Sequence, residues 1–301
     1  MISECPFCKE VNSSEILFQG SNIKSKEINV ECTSHNAEDV DQWKPTLYKC
    51  KICKLVFSES IGINFAEKYT HVVDQAYLDQ IEFKKKTFSL FFQKIKNFLD
   101  KDKKVLEIGS YYGILGNLIK PNVKEYQGLE LSSHAASYAK KNFDLDIIEY
   151  HLEDYLEKDN KYDLIIMTDV IEHLDTPFKV LDLIEKNLLP GGKLILSTFN
   201  FDSLFSKIMG RRYPWIIPMH KYYFSNETLK NALKKSNLNL FEIKNDTRLI
   251  SIEYLFQKFN VLFPPFKYLS KFLLKFNFVK NLTIKINMHD LKIYYCEKIL
   301  K

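Results

Sequence analysis

Residues 103–116 read KKVLEIGSYYGILG: an apolar run carrying Glu107 near its end, glycines at 109 and 113, then the first residues of a helical pattern. In an α/β protein the loop after the first strand bends sharply beneath a bound nucleotide at the switch point of the sheet. A left-handed backbone and the absence of a Cβ favour glycine there. Tyr111 stands where many dinucleotide folds keep a further glycine. About twenty residues beyond Glu107 comes YQGLELS, a second strand pattern ending in Glu130, placed to accept both hydroxyls of a ribose. Acids at the ends of two successive strands favour a ribosyl ligand over a bare buried turn.

Outward from this stretch, strand and helix patterns alternate. Strands are expected near 103–108, 125–130, 145–149, 162–168, 192–198, 239–245 and 291–298, with Pro190-Gly191-Gly192 turning the chain into the fifth. Residues 77–100 carry apolar positions at helical spacing and lead into the first strand. Such alternation predicts an α/β fold: a Rossmann-like, doubly wound, mainly parallel seven-stranded sheet with helices on both faces.

The ordered set VLEIGSYYG, GLELS, KYDLIIMTDVIEHL (161–174) and LLPGGKLILSTFN (188–200) resembles the successive strand motifs of class I S-adenosylmethionine-dependent methyltransferases, over about residues 77–245. The resemblance implies an antiparallel last strand and S-adenosylmethionine as cofactor. It implies that Glu107, Gly109, Tyr111 and Gly113 line the methionine side, that Glu130 and Leu131 border the ribose, that Leu152 and Glu153 lie beside the adenine, and that Asp169 begins the loop after strand four. Two positions depart from the pattern: Tyr111 replaces the central glycine, and His151 stands where an acid commonly meets the adenine amino group.

At 301 residues, with 46% hydrophobic and 27% charged side chains, the chain has room for one α/β domain and a small module. Four of its six cysteines form two C-x-x-C pairs, Cys5/Cys8 and Cys50/Cys53. Without a secretion signal, such pairs fit a closed tetrahedral shell for a structural Zn²⁺ better than disulfides; the alternative is a redox dithiol. Cys32 and His35 could substitute as ligands if the connection between the pairs folds inward, and Cys296 reads as a core residue. This zinc-ribbon-like module and its linker span 1–75, and the methyltransferase-like domain spans 76–301. Tyr69 and Tyr77, ahead of the first strand, are placed to close over the cofactor.

Charge is unevenly spread. The net charge is +5, yet residues 201–301 hold 18 Lys and Arg against 7 Asp and Glu. Within them 254–289 contain six lysines, seven phenylalanines and no acid. In PFKYLSKFLLKF (265–276) the lysines fall on one side of a helical wheel and most of the apolar residues on the other, a pattern that suits either packing on the domain or peripheral contact with an anionic membrane. No apolar run is long enough to cross a bilayer, and a cytoplasmic location, with or without membrane association, is the expectation. Residues 1–60 carry 7 lysines against 9 acids, a poor match to nucleic acid.

Methyl transfer requires a nucleophile aligned with the donor and a group to take its proton, a task suited to histidine. His220 lies in RRYPWIIPMHKYYFS (211–225), which resembles the W…P-x-H-x-x-Y-F segment of bacterial methyltransferases acting on sugars and secondary metabolites, where the histidine serves as base. Met219 precedes it where some of those enzymes have Glu, which leaves no orienting carboxylate next to it in sequence. His173, in DVIEHL, is the second candidate, with a structural part near the cofactor as its alternative. Arg211 and Arg212 are candidates for an acceptor diphosphate. The sequence thus points to a methyltransferase acting on a small-molecule, sugar or lipid-linked glycan acceptor. An RNA methyltransferase with a zinc module and a non-catalytic methyltransferase-like binding protein are the alternatives; against RNA, no N-P-P-Y motif follows strand four, where TDVI stands.

Overall fold

The computed structural model describes residues 4–21, 44–60, 63, 70, 73–253, 255–256, 260, 265–276, 279 and 282–299. Cys32, His35, Tyr69 and the EINVEC segment lie outside them.

The N-terminal part forms strands β1 (Ser14–Phe18), β2 (Leu47–Cys50) and β3 (Val56–Ser58). Helices α1 (Gln75–Asp79) and α2 (Ile81–Ile95) lead into β4 (Lys104–Ile108). There follow α3 (Ile114–Ile119), β5 (Glu125–Leu129), α4 (Ser133–Phe143), β6 (Ile147–Ile148), α5 (Leu152–Leu156), β7 (Tyr162–Thr168), α6 (Pro177–Asn187) and β8 (Leu188–Phe199). The last part holds α7 (Leu204–Met209), β9 (Tyr222–Tyr223), α8 (Asn226–Lys235), β10 (Leu238–Asn245), β11 (Arg248–Ser251), α9 (Phe266–Leu273), β12 (Thr283–Ile286) and β13 (Leu291–Lys298).

Seven strands pair in the order β10-β13-β8-β7-β4-β5-β6. The pairs from β8 to β6 are parallel, and β13 runs antiparallel to both β8 and β10. This is the Rossmann-like doubly wound sheet that the alternation predicts, with its reversed final strand. Strands β4 and β7 are buried along most of their length, as strands covered by helices on both faces must be. Leu106, Ile165, Leu194 and Tyr294 line one face of the sheet and Val105, Leu164, Ile166 and Ile195 the other. The helices start on local signals: Ser225 and Thr228 form a capping box on α8, and Pro177 opens α6 where its missing N–H costs nothing.

Strand pairing crosses the boundary expected at residues 75–76. Strand β3 pairs with β9, so a four-stranded sheet β1-β2-β3-β9 takes its last strand from the far end of the chain. Cys5, Cys50, Leu55 and Phe57 join the same core as Leu181, Tyr222 and Phe224. Phe7 packs on Phe178 of α6, with ring centroids 4.7 Å apart. The cysteine module thereby buttresses the segment that carries His220.

Candidate active site

The turn after β4 is built as the glycine spacing requires. Gly109 and Gly113 have φ of +74° and +75°, and a Cβ on Gly109 would stand 2.5 Å from a Val170 methyl carbon. Tyr111, in place of the central glycine, also has positive φ, at +47°, a left-handed conformation unusual for a side chain of its size. It is held on three sides: its N–H donates to Glu130 Oε2 at 2.8 Å, its hydroxyl donates to Asp74 at 2.8 Å, and its ring meets the edge of Tyr77 at 4.7 Å. Tyr77 thus packs against the turn, with its ring also stacked on Tyr112 at 5.2 Å.

Glu130 ends β5 with one oxygen on the Tyr111 amide and the other on the Ser132 amide, both at 2.8 Å. A carboxylate offers about four lone-pair sites, so this arrangement fixes its orientation while leaving acceptor capacity for two ribose hydroxyls. Burial raises its pKa above the ordinary range. Glu107, expected on the methionine side, is buried at the end of β4. Its Oε2 accepts from the Tyr126 hydroxyl at 2.6 Å, beneath Gly116, and burial pushes its pKa up to about 8. It braces the turn from below. Leu131 is half-buried beside Glu130. Leu152 and Glu153 form the first turn of α5 at the sheet edge, where Glu153 accepts from Thr176, and His151 is exposed just before them.

Across β7 lies the second half of the site. Asp169, at φ +53°, binds the guanidinium of Arg248 at 2.5 Å. His173 and His220 meet edge to face with centroids 4.6 Å apart, and Glu172 joins them with all three ligand atoms within 4.8 Å of one another. Nδ1 of His220 lies 2.7 Å from the Trp215 carbonyl and Nδ1 of His173 3.2 Å from the Met219 carbonyl. A carbonyl only accepts, so in each neutral ring Nδ1 carries the proton and Nε2 keeps the lone pair. The backbone thus does for His220 what the missing carboxylate at 219 would have done. Burial holds His173 down at about 4 and His220 well below the ordinary value, while it pushes Glu172 up to about 8 with help from Asp169. Phe199 stacks on His220 at 5.1 Å. The cover segment is pinned where Tyr213 and Trp215 both donate to Asp290, at 2.9 and 3.1 Å, and where the Lys221 N–H donates to the Glu172 carbonyl at 2.8 Å. Arg211 and Arg212 are exposed on a short turn.

Away from this edge, Cys5, Cys8, Cys50 and Cys53 converge with all four sulfurs within 4.8 Å. The two knuckles match: Lys9 and Lys54 follow them at φ +65° and +63°, and each N–H returns to the carbonyl of the first cysteine, at 3.0 and 3.1 Å. The Cys5–Cys53 and Cys8–Cys50 separations of 3.5 and 3.6 Å exceed a disulfide bond and approach the edge of about 3.8 Å that a tetrahedron of 2.3 Å zinc–sulfur bonds requires. The donor set and its geometry fit that ion.

A profile of the methyltransferase domain matches residues 77–243, more than half of the chain. The chain belongs to that methyltransferase family. It is similar to the mitochondrial ubiquinone biosynthesis O-methyltransferase of Candida albicans, at 30% identity over 77% of this chain and 80% of that protein. The enzyme of the same name from Dictyostelium discoideum is 26% identical over 46% of this chain. The chain spans 51% of the Dictyostelium protein and 49% of a Vibrio atlanticus relative. Among solved structures, S-adenosylmethionine-dependent methyltransferases from Thermotoga maritima and Archaeoglobus fulgidus share the fold, each with TM-score 0.50. The first is 18% identical and covers 78% of this chain and 96% of its own; the second is 17% identical and covers 75% and 100%. The glycine turn and the oriented Glu130 fit the nucleoside half of S-adenosylmethionine.

Sequence reading missed Arg248, Asp74 and Glu172. Arg248 left a faint signal, one of three arginines among 43 basic residues. Asp74 and Glu172 left none, because their partners lie far away along the chain.

Proposed function

We propose that this methyltransferase modifies a hydroxyl of a small-molecule acceptor, a sugar or a lipid-linked glycan, with His220 as the proton acceptor and the four cysteines holding a structural Zn²⁺ that stiffens the cover segment. The observation that carries this reading is the paired imidazoles, whose Nε2 lone pairs are set by backbone carbonyls in an aromatic enclosure. S-adenosylmethionine supplies an electrophilic methyl group on a positively charged sulfur. Nε2 of His220 would take the proton of the acceptor hydroxyl as that oxygen is methylated, and the Trp215 carbonyl on Nδ1 would steady the imidazolium. The Candida and Dictyostelium relatives, named as O-methyltransferases, support oxygen as the nucleophile.

The experiment is calorimetry with S-adenosylmethionine and NAD, followed by methyl incorporation into catechols, nucleotide sugars and lipid-linked sugars. Tighter binding of S-adenosylmethionine and methylation of a hydroxyl are expected. Glu130→Ala weakens that binding by about 1–3 kcal/mol through the lost charged hydrogen bonds. Transfer confined to amines would overturn the acceptor class.

A further inference from the structure

Helix α9 and the segment around it are framed by the antiparallel pair β11–β12, in which Arg248 faces Ile286 and Ser251 faces Thr283. The base of this hairpin is the strand that seats Arg248 against Asp169. The hairpin is thereby tied to the loop after β7.

The side of α9 turned inward centres on Ser270, which is fully buried, with Phe266, Leu273 and Leu274 partly covered around it. The side turned outward is apolar. Tyr268 is 83% exposed, Phe272 57%, Leu269 51% and Phe276 46%. At 100° per residue Tyr268, Leu269 and Phe272 fall within one third of the helix circumference, and Lys267 and Lys271, also exposed, lie along one flank, with Lys275 and Phe276 exposed just past the end of α9. Phe272 and Phe276 meet edge to face at 5.7 Å and, with Tyr268 and Leu269, form an exposed apolar ridge. Packing on the domain, the first of the two uses the sequence allows, buries the Ser270 side.

We propose that this ridge docks the enzyme on an anionic lipid bilayer, with the apolar side chains in the headgroup boundary and the lysines on lipid phosphates. Charge decides the occupant: six lysines and no acid between residues 254 and 289 complement an anionic surface, and lysine beside tyrosine and phenylalanine is the composition that partitions to a membrane interface. No described helix is long and apolar enough to cross a membrane, so the contact is peripheral. Since α9 lies between β11 and β12 in the chain, docking would bring the hairpin that carries Arg248 to the bilayer. A lipid-linked acceptor would enter there. This consequence rests on the proposed acceptor class; the docking does not.

The test is co-sedimentation of the full-length protein with vesicles of phosphatidylcholine alone and of phosphatidylcholine mixed with phosphatidylglycerol. Binding to the mixed vesicles only, falling as salt is raised, is expected. Lys267→Gln, Lys271→Gln and Lys275→Gln each weaken it roughly fivefold, and Phe272→Ser with Tyr268→Ser abolishes it. These side chains are exposed, so melting temperatures stay at the wild-type value. Equal binding to both vesicle types, no binding, or wild-type binding by the aromatic double variant overturns the proposal. Concentration-dependent self-association that Phe272→Ser removes, in the absence of vesicle binding, would assign the ridge to a second copy of the chain and overturn it equally.

Discussion

Arg248, on the first strand of the insertion hairpin, donates to the carboxylate of Asp169 at the end of β7 and lies 3.5 Å from Asp246 on its other side. One guanidinium thus ties the β10–β11 connection, which carries both Asp246 and Arg248, to the loop after β7. A planar fork can face two carboxylates at once, whereas an ammonium meets them as a single point charge. Arg248→Lys should therefore restore only part of what Arg248→Ala removes. The alanine variant is expected to lose about 1.5–3 kcal/mol for each charged hydrogen bond broken. Urea unfolding of the three proteins checks this; equal stability of all three would show that the hairpin is held by packing alone.

Much of this was legible in the sequence, for a physical reason. Strands buried on both faces are written as apolar runs, and a turn that must be left-handed is written as glycine, so KKVLEIGSYYGILG and LLPGGKLILSTFN announce their own geometry. The two C-x-x-C pairs are equally explicit, because a knuckle is a local turn. What stayed hidden depends on distance along the chain. Nothing near Met219 shows that the Trp215 carbonyl would orient His220, and nothing near Val56 shows that β3 would pair with Tyr222–Tyr223. The partner of Glu107 was hidden in the same way: Tyr126, nineteen residues on, donates to its carboxyl.

The cysteine module yields the second prediction. Four thiolates make a closed shell, and losing one leaves a site too poor to hold the ion, so Cys50→Ser should bind no zinc. Because β3 pairs with β9, the damage should spread to the cover segment and lower methyl transfer as well as melting temperature. Elemental analysis with a thermal melt checks both. Full zinc occupancy in the variant would remove Cys50 from the ligand set.

Glu107 sets a pH dependence. Its pKa is raised by burial from 4.5 to about 8, so between those values the folded protein holds a proton that the unfolded chain has released. Stability from this group is fully present below pH 4.5 and is lost as pH rises through about 8. Glu107→Gln, neutral throughout, should flatten that decline while still accepting from Tyr126. Melting temperatures measured across this window decide the matter, and parallel curves for the two proteins would place the titration elsewhere.

The final prediction concerns the proton. His220 sits with Nδ1 committed to Trp215 and its pKa held well below the ordinary 6.5 by burial and by the neighbouring His173. It is therefore unprotonated at neutral pH, and the acid limb of the rate profile should lie below 6.5. His220→Ala should bind S-adenosylmethionine as wild type does and lose about 10²- to 10⁴-fold in turnover, the range for removing a general base. His173→Ala should weaken cofactor binding as well, since its loop begins at Asp169 and packs Val170 against Gly109. His220→Gln separates position from basicity: it fills the pocket and accepts a hydrogen bond but takes up no proton, so it should be as slow as the alanine variant. Turnover near wild type in His220→Gln across the pH range would mean that the proton leaves by another route and that the imidazole only shapes the enclosure.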